Sequence, residues 1–294
     1  MSIRSIPKRF LSLVCLFLFA GNLLVRGQQD IKVLITSPQG YSERFKKEFS
    51  SSHLIPVSIP MIETVIPDEL PDMDKLFANL TQYDYIAFSS RKAIESFAVK
   101  MAQYPDIQKH LHKLKFCAIG KDAEYMYEKL HVSNAIHPEE ASPIGIANKL
   151  AEQPGITKQS IAVLVPRVEK VKEPDVVPNF LARLQEIGLK VTRIHAYTTR
   201  PVADEKIKTA ADLIISGKVN CVAFTSGTEI EGLLRGFPDK LLPPNVVVAC
   251  FGPYTAGYAK KIGIKVDLVA KNFSSFTGFI QAIKEYYERE GYKR

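Results

Sequence analysis

The chain has 294 residues, 46% of them apolar and 24% charged, with a formal charge of +8. That is chain enough for two domains of ordinary size, and the composition excludes a disordered or collagen-like polymer. No basic run interleaved with aromatic residues is present, which excludes nucleic acid as the expected partner, and the modest positive excess suits an anionic ligand without requiring one.

In chain order, residues 1–29 come first. They hold Arg4, Lys8, Arg9 and Arg26 and no acid, so they carry +4, and an apolar run from Phe10 to Val25 broken by Gly21 and Asn22 follows the first three cations. This is the layout of a secretory signal or a marginal membrane anchor, the alternative being a start codon placed upstream of the true one. Cys15 has no lipobox, because Val14 is not the small residue such a site needs.

Lys32–Thr36 reads as a strand, followed by a Pro-Gly turn and a helix from Ser42. Leu54–Pro60 carries two prolines and cannot be a central strand, so it is expected as extended linker. Helices are expected at Leu76–Leu80, Lys92–Met101, Ala123–Leu130, Pro143–Glu152 and Val176–Ile187, the last closed by Gly188. Strands are expected at Tyr85–Phe88, Phe116–Ile119, near Ala135 and at Ile161–Val165. Val191–Pro201 is extended and rich in β-branched residues. Helices at Ala203–Ser216, Thr228–Leu234, Thr255–Ile262 and Phe276–Tyr287 then alternate with strands at Cys221–Phe224, Val246–Phe251 and Lys265–Leu268. The strands are continuous apolar runs, the mark of parallel sheets covered on both faces.

The chain also repeats itself. YDYIAFSSRKAIESF at Tyr83–Phe97 is echoed by VNCVAFTSGTEIEGL at Val219–Leu233, and Ser90 and Ser226 stand 136 residues apart. Gly120 and Gly252 stand 132 apart, as do Ser142 and Ser274, each read as opening a helix. A period this long is no solenoid unit but a small α/β domain present twice. In each copy a strand runs into Ser or Gly and a helix begins at once, so first-turn N–H groups and a hydroxyl face outward beyond the carboxyl ends of the strands, where such sheets bind ligands. Ser90, Ser226 and Thr255 are the hydroxyls so placed. Each is a carboxylate or phosphate ligand by that geometry, and each is equally a helix cap.

No GxGxxG and no GKS/T loop is present, which disfavours dinucleotides and P-loop chemistry. Cys117, Cys221 and Cys250 sit in apolar strands without CxxC spacing and are expected as buried free thiols. His110 and His112 are two apart, on different helix faces, so no metal is expected.

The repeats resemble uroporphyrinogen-III synthase. The resemblance rests on the apolar strand into Phe-(Thr/Ser)-Ser in each half, on Gly252-Pro253-Tyr254-Thr255-Ala256 with Gly263 closing the same stretch, and on Tyr197-Thr198-Thr199. It runs from about Lys32 to the last helix. It implies two similar flavodoxin-like parallel-sheet domains joined by two extended crossover linkers: 30–53 with 203–294, and 67–190, with linkers 54–66 and 191–202. It implies an enzyme that closes hydroxymethylbilane with inversion of the last pyrrole, through a spiro intermediate, losing water and using no cofactor. It implies carboxylate binding at Ser90, Gly120, Lys121, Arg167, Ser226, Gly252, Tyr254 and Thr255, with Tyr197 assisting departure of the hydroxyl. A cytoplasmic monomer is expected, with a transient contact to hydroxymethylbilane synthase and with membrane only if the leader is retained.

Three departures stand out. The first strand ends Thr36-Ser37-Pro38 where the family commonly has Thr-Arg-Pro, and Ala123 stands where the family often has Thr, with Lys121 beside it. Arg167 lacks the glycine that usually follows it. Two alternatives remain: an exported, non-catalytic tetrapyrrole- or anion-binding protein on the same fold, and a periplasmic-type two-domain receptor.

Overall fold

The computed structural model describes residues 30–120, 122–132 and 135–291. Two sheets organise them. The first is built from β1 (Ile31–Ile35), β2 (Leu54–Ser58), β9 (Cys221–Phe224), β10 (Val247–Cys250) and β11 (Leu268–Val269), in the order β11-β10-β9-β1-β2, and every neighbour is parallel. The second is built from β3 (Ile62–Val65), β4 (Tyr85–Phe88), β5 (Lys115–Cys117), β6 (Ala135–Ile136), β7 (Ser160–Val168) and β8 (Lys190–Pro201), in the order β3-β8-β7-β4-β5-β6. Its neighbours are parallel except β3, which runs antiparallel to β8.

Each face of each sheet carries an apolar core, as continuous apolar strands require. In the first sheet Leu34, Val222, Phe224 and Val248 join one core, while Val33, Ile35, Cys221 and Ala223 join the other. In the second, Ile86, Phe88, Phe116 and Leu164 face one core, and Tyr85, Ala87, Cys117 and Val163 the opposite one. Cys117, Cys221 and Cys250 are free and buried, and burial pushes the Cys117 and Cys250 thiols up to about 12. No described helix is long and apolar enough to cross a membrane. The leader of residues 1–29 lies outside the described residues.

The strand β1 is hydrogen-bonded between β9 and β2, so the beginning of the chain completes the sheet formed by its end. The two segments expected as linkers are both strands. Leu54–Ser58 is the edge strand of the first sheet, with Pro56 opposite Val33. An edge tolerates a residue with no N–H to give, so the prolines excluded a central strand and not a strand altogether. Lys190–Pro201 runs parallel to β7 and then pairs with β3 through Val65↔Thr198 to Ile62↔Pro201, and Arg200 Nε meets Glu63 Oε1 at 2.6 Å. The two crossing segments are therefore zipped to each other.

One irregularity in β8 matters to the site. Val165 pairs with His195, but Pro166 pairs with Tyr197, so Ala196 is skipped as a bulge. Its carbonyl is taken by the buried Ser96 hydroxyl. Alternation would send Ala196 and Tyr197 to opposite faces. With the bulge, Ile194, Ala196 and Tyr197 all join one core.

Two smaller differences follow local hydrogen bonding. The last strand is Leu268–Val269 and not Lys265–Leu268, because Asp267 spends its carboxylate on Val248 N at 2.9 Å. The last helix, Phe276–Arg289, is capped by Ser275, which accepts from Gly278 N at 3.1 Å, whereas Ser274 donates to Asn272. Ser142 does cap its helix, Pro143–Ala151, through Gly145 N at 2.9 Å.

Candidate functional site

The end of β4 supplies the first part of the site. Ser90 begins helix α3 (Arg91–Met101); its Oγ accepts from Ala93 N at 3.3 Å and shares a 2.8 Å hydrogen bond with the Tyr197 phenol, 107 residues away. Tyr197 is 6% exposed, while Ser90 is half-buried, so the pair reaches solvent through the serine. Burial pushes the Tyr197 phenol up to about 12, against the opposing hydrogen bonds from Ser90 and Ser89. Such a phenol stays protonated at neutral pH and can only give a proton first.

Arg91 lies beside this pair in sequence. Its Nε meets Asp122 Oδ1 at 2.9 Å and its guanidinium lies 4.4 Å from the centre of the Tyr125 ring. Gly120 precedes them after β5 with φ +49°, a left-handed turn that favours glycine. Lys121 lies outside the described residues. Arg167, near the end of β7, is exposed and stands opposite Thr198. No hydrogen bond or ion pair joins it to the Ser90–Tyr197 pair; burial raises the Asp72 carboxyl, and the His195 hydrogen bonds, with the charges of His195 and Arg167, together bring it below its ordinary value.

The second half uses the same turn differently. Ser226 begins helix α9 (Gly227–Leu234), but its hydroxyl donates to Glu229 Oε1 at 3.0 Å and makes no capping bond to the backbone. Thr255 is buried on helix α10 (Pro253–Lys261), and its hydroxyl donates to the Thr225 carbonyl at 3.2 Å. Gly252 opens that helix against Phe273, whose Cβ would stand 3.0 Å from an added methyl. The hydroxyls of Ser226 and Thr255 are thus turned into the protein.

Tyr254 joins the halves. Its phenol donates to the Glu140 carboxylate and lies 3.3 Å from Ser142 Oγ. Lys261 pairs with Asp175, and Arg235 reaches the Lys170 carbonyl at 3.3 Å, adding two more ties across the same seam. Tyr41, after β1, is pushed up to about 12 by burial and then by the charge of Asp122, with Glu229 and Arg91 also acting on it. The ends of β1, β4, β5 and β9 therefore lie within electrostatic reach of one another.

Tyr41, Arg91, Glu140 and Glu229 were not singled out from sequence. Glu229 had a signal, the Ser-x-x-Glu spacing of a capping box from Ser226. Among the described residues no group of three or more His, Cys, Asp or Glu is placed to hold a metal ion. The corner offers neutral hydroxyls, backbone amides and a few fixed charges. Such an arrangement has the groups needed to hold an acidic ligand and to give a proton.

A family model described as uroporphyrinogen-III synthase HemD matches residues 43–277. The uroporphyrinogen-III synthase of Chlorobaculum parvum is 27% identical over 86% of this chain and 98% of its own length. The chloroplastic uroporphyrinogen-III synthase of Oryza sativa is 26% identical over 88% of this chain and 82% of its own length. In structure, a mutant uroporphyrinogen III synthase from Thermus thermophilus superposes with a TM-score of 0.60 at 18% identity, covering 88% of this chain and 99% of that one, which is a likeness of fold.

Proposed function

This chain belongs to the uroporphyrinogen-III synthase family, and from that premise we propose that it closes hydroxymethylbilane, an acidic linear tetrapyrrole, into uroporphyrinogen III with inversion of the last pyrrole and loss of water. The observation that carries this reading is the hydroxyl pair of Ser90 and Tyr197, 2.8 Å apart at the end of β4. Loss of the substrate hydroxyl as water needs a proton on the departing oxygen. The neutral Tyr197 phenol supplies it by way of Ser90, the more exposed partner. Ring closure releases a proton from the pyrrole carbon that forms the new bond, and that proton restores the pair, so the net loss is water alone.

Residues 30–58 with 202–291 form one half, and 62–201 the other. The substrate lies between them, its carboxylates received by first-turn amides at Ser90, Gly120 and Gly252, with Tyr254 at the seam. Lys121 and Arg167 contribute positive charge to carboxylate binding. No resident cofactor enters the reaction. The protein acts as a cytoplasmic monomer and takes its unstable substrate in a transient contact with hydroxymethylbilane synthase. Membrane contact depends on residues 1–29 being retained.

The test is a coupled assay in which hydroxymethylbilane synthase supplies substrate and the type III and type I isomers are scored. Type III product above the uncatalysed background is expected. Type I alone, with tight binding of the tetrapyrrole, would replace this reading with that of a non-catalytic binding protein.

A further inference from the structure

The far ends of helices α9 and α10 meet the loop that follows β7, and an open cavity of about 620 Å³ lies between them. Lys170, Lys172, Arg235 and Lys240 line it against one carboxylate, Glu231, so four cations less one anion leave the lining at +3. Val171, Leu234 and Ile262 give it an apolar wall. The size is that of a small-molecule site. It is not the corner at Ser90. Helix α9 starts at Ser226, and at 1.5 Å per residue its last residue, Leu234, lies about 10 Å further along. Ile262 likewise follows the last turn of α10.

The other charges nearby are already paired. Glu231 accepts from the Tyr258 phenol at 2.5 Å, and Arg235 Nη2 meets Asp204 at 2.8 Å. Glu173 and Asp175, on the same loop, pair with Arg193 and Lys261. The ammonium groups of Lys170, Lys172 and Lys240 make no ion pair among the described residues. A helix end draws a cation by its dipole, which accounts for Arg235, the residue directly after α9. It does not account for Lys170, which comes from the other half, nor for the backbone beneath Lys170 and Lys240. Both hold left-handed φ, +62° and +52°. Glycine takes that conformation freely and lysine only with strain, so these turns hold two ammonium groups where the strain-free residue carries none. Strain of this kind gathers where a ligand is clamped.

We propose that this cavity binds a small oligophosphate and that the bound anion bridges the two halves. Lys170 and Lys172 belong to 62–201, and Arg235 and Lys240 to 202–291; the Arg235 guanidinium already reaches the Lys170 carbonyl at 3.3 Å. Ammonium groups are compact charges with rotatable donors, which suits a densely charged phosphate chain. The planar fork that favours carboxylates is that of Arg235, and Asp204 engages it. The site goes beyond the proposed reaction, and its test needs no turnover.

Titration calorimetry of the full chain with sodium tripolyphosphate, at constant ionic strength, should show saturable binding at one site per chain. Lys170→Gly and Lys240→Gly, one from each half, remove an ammonium group at turns that glycine accepts, and each should weaken binding about tenfold. An effect confined to one half overturns the bridge. Lys172→Gln, at an exposed residue, keeps the test open if a glycine variant does not fold, and should weaken binding about threefold. ATP in place of tripolyphosphate separates two sources of the same chemistry. Equal or weaker binding assigns the site to free phosphate chains; binding tighter by about tenfold assigns it to a nucleotide whose base lies on Val171, Leu234 and Ile262. Wild-type protein that binds neither anion, or variants that bind as tightly as wild type, overturn the proposal. So does displacement of tripolyphosphate by uroporphyrin, whose carboxylates would mark the cavity as part of the substrate cleft.

Discussion

Tyr197 shows how a single residue acquires its chemistry from its surroundings. A tyrosine on an exposed strand face would be a solvated phenol. Here it is buried to 6% exposure, tied to Ser90 at 2.8 Å, and its phenol is raised to about 12. Tyr197→Phe keeps the ring in the core and removes only the proton donor, so kcat should fall while KM changes by less than about threefold. Steady-state rates of type III formation at limiting and saturating substrate check this, and a variant with wild-type kcat would leave positioning as the only contribution of this corner. The phenol's ordinary partner was not legible in sequence, because Ser90 and Tyr197 are 107 residues apart and no local spacing links them. Glu229 was legible in part. Its capping-box spacing announces a carboxylate at a helix start, but its contact with Thr36, 193 residues away, is tertiary.

At the scale of elements, the pairing of the two crossing segments decides most. Helix α9 lies against this ladder, and Gly232 is the reason it can. A methyl at Gly232 would stand 2.6 Å from the Met61 carbonyl oxygen, which is backbone and cannot swing aside. Gly232→Ala should therefore destabilise the protein by roughly 1–3 kcal/mol, the usual cost of overpacking, and denaturant unfolding measures it; an unchanged midpoint would mean the helix shifts freely. Asp72, at the start of helix Pro71–Ala78, holds β8 through His195 Nδ1 at 2.8 Å and His195 N at 3.3 Å. Burial raises its carboxyl, but the two His195 hydrogen bonds together with the charges of His195 and Arg167 leave it below its ordinary value. A depressed carboxyl stabilises the folded chain above the unfolded aspartate pKa, about 3.9, and that contribution is lost as the pH falls through the lower folded value. The stability advantage of wild type over Asp72→Asn should be full at pH 6 to 7 and shrink below about pH 4. Thermal melts of both proteins across that range would show a constant gap if the pair contributed nothing.

For the whole molecule, helix α9 packs against the β3–β8 ladder at the seam between the halves, and polar ties there include the Tyr254 phenol on Glu140 and Ser142, Lys261 with Asp175, and Arg235 on the Lys170 carbonyl. Relative motion of two such halves is the default expectation unless their interface is large and apolar. Tyr254→Phe removes the best buried of the three, so the ligand-free radius of gyration should rise, and addition of product should reverse the rise. Small-angle scattering reads both, and identical curves for the variant and wild type would show that the seam is held elsewhere. Local chemistry by itself determined the alternation of strand and helix, the buried apolar runs and the turns into Ser or Gly, since each depends on residues within a few positions of one another. The Phe-(Thr/Ser)-Ser echo carried the family for the same reason. Only the tertiary structure decided that Leu54–Ser58 is an edge strand, because whether a proline is tolerated depends on which side of the strand is left unpaired. It alone decided that Tyr197 faces Ser90, because a one-residue bulge at Ala196 reverses the face of every residue after it, and a bulge is a property of the paired strands and not of either sequence.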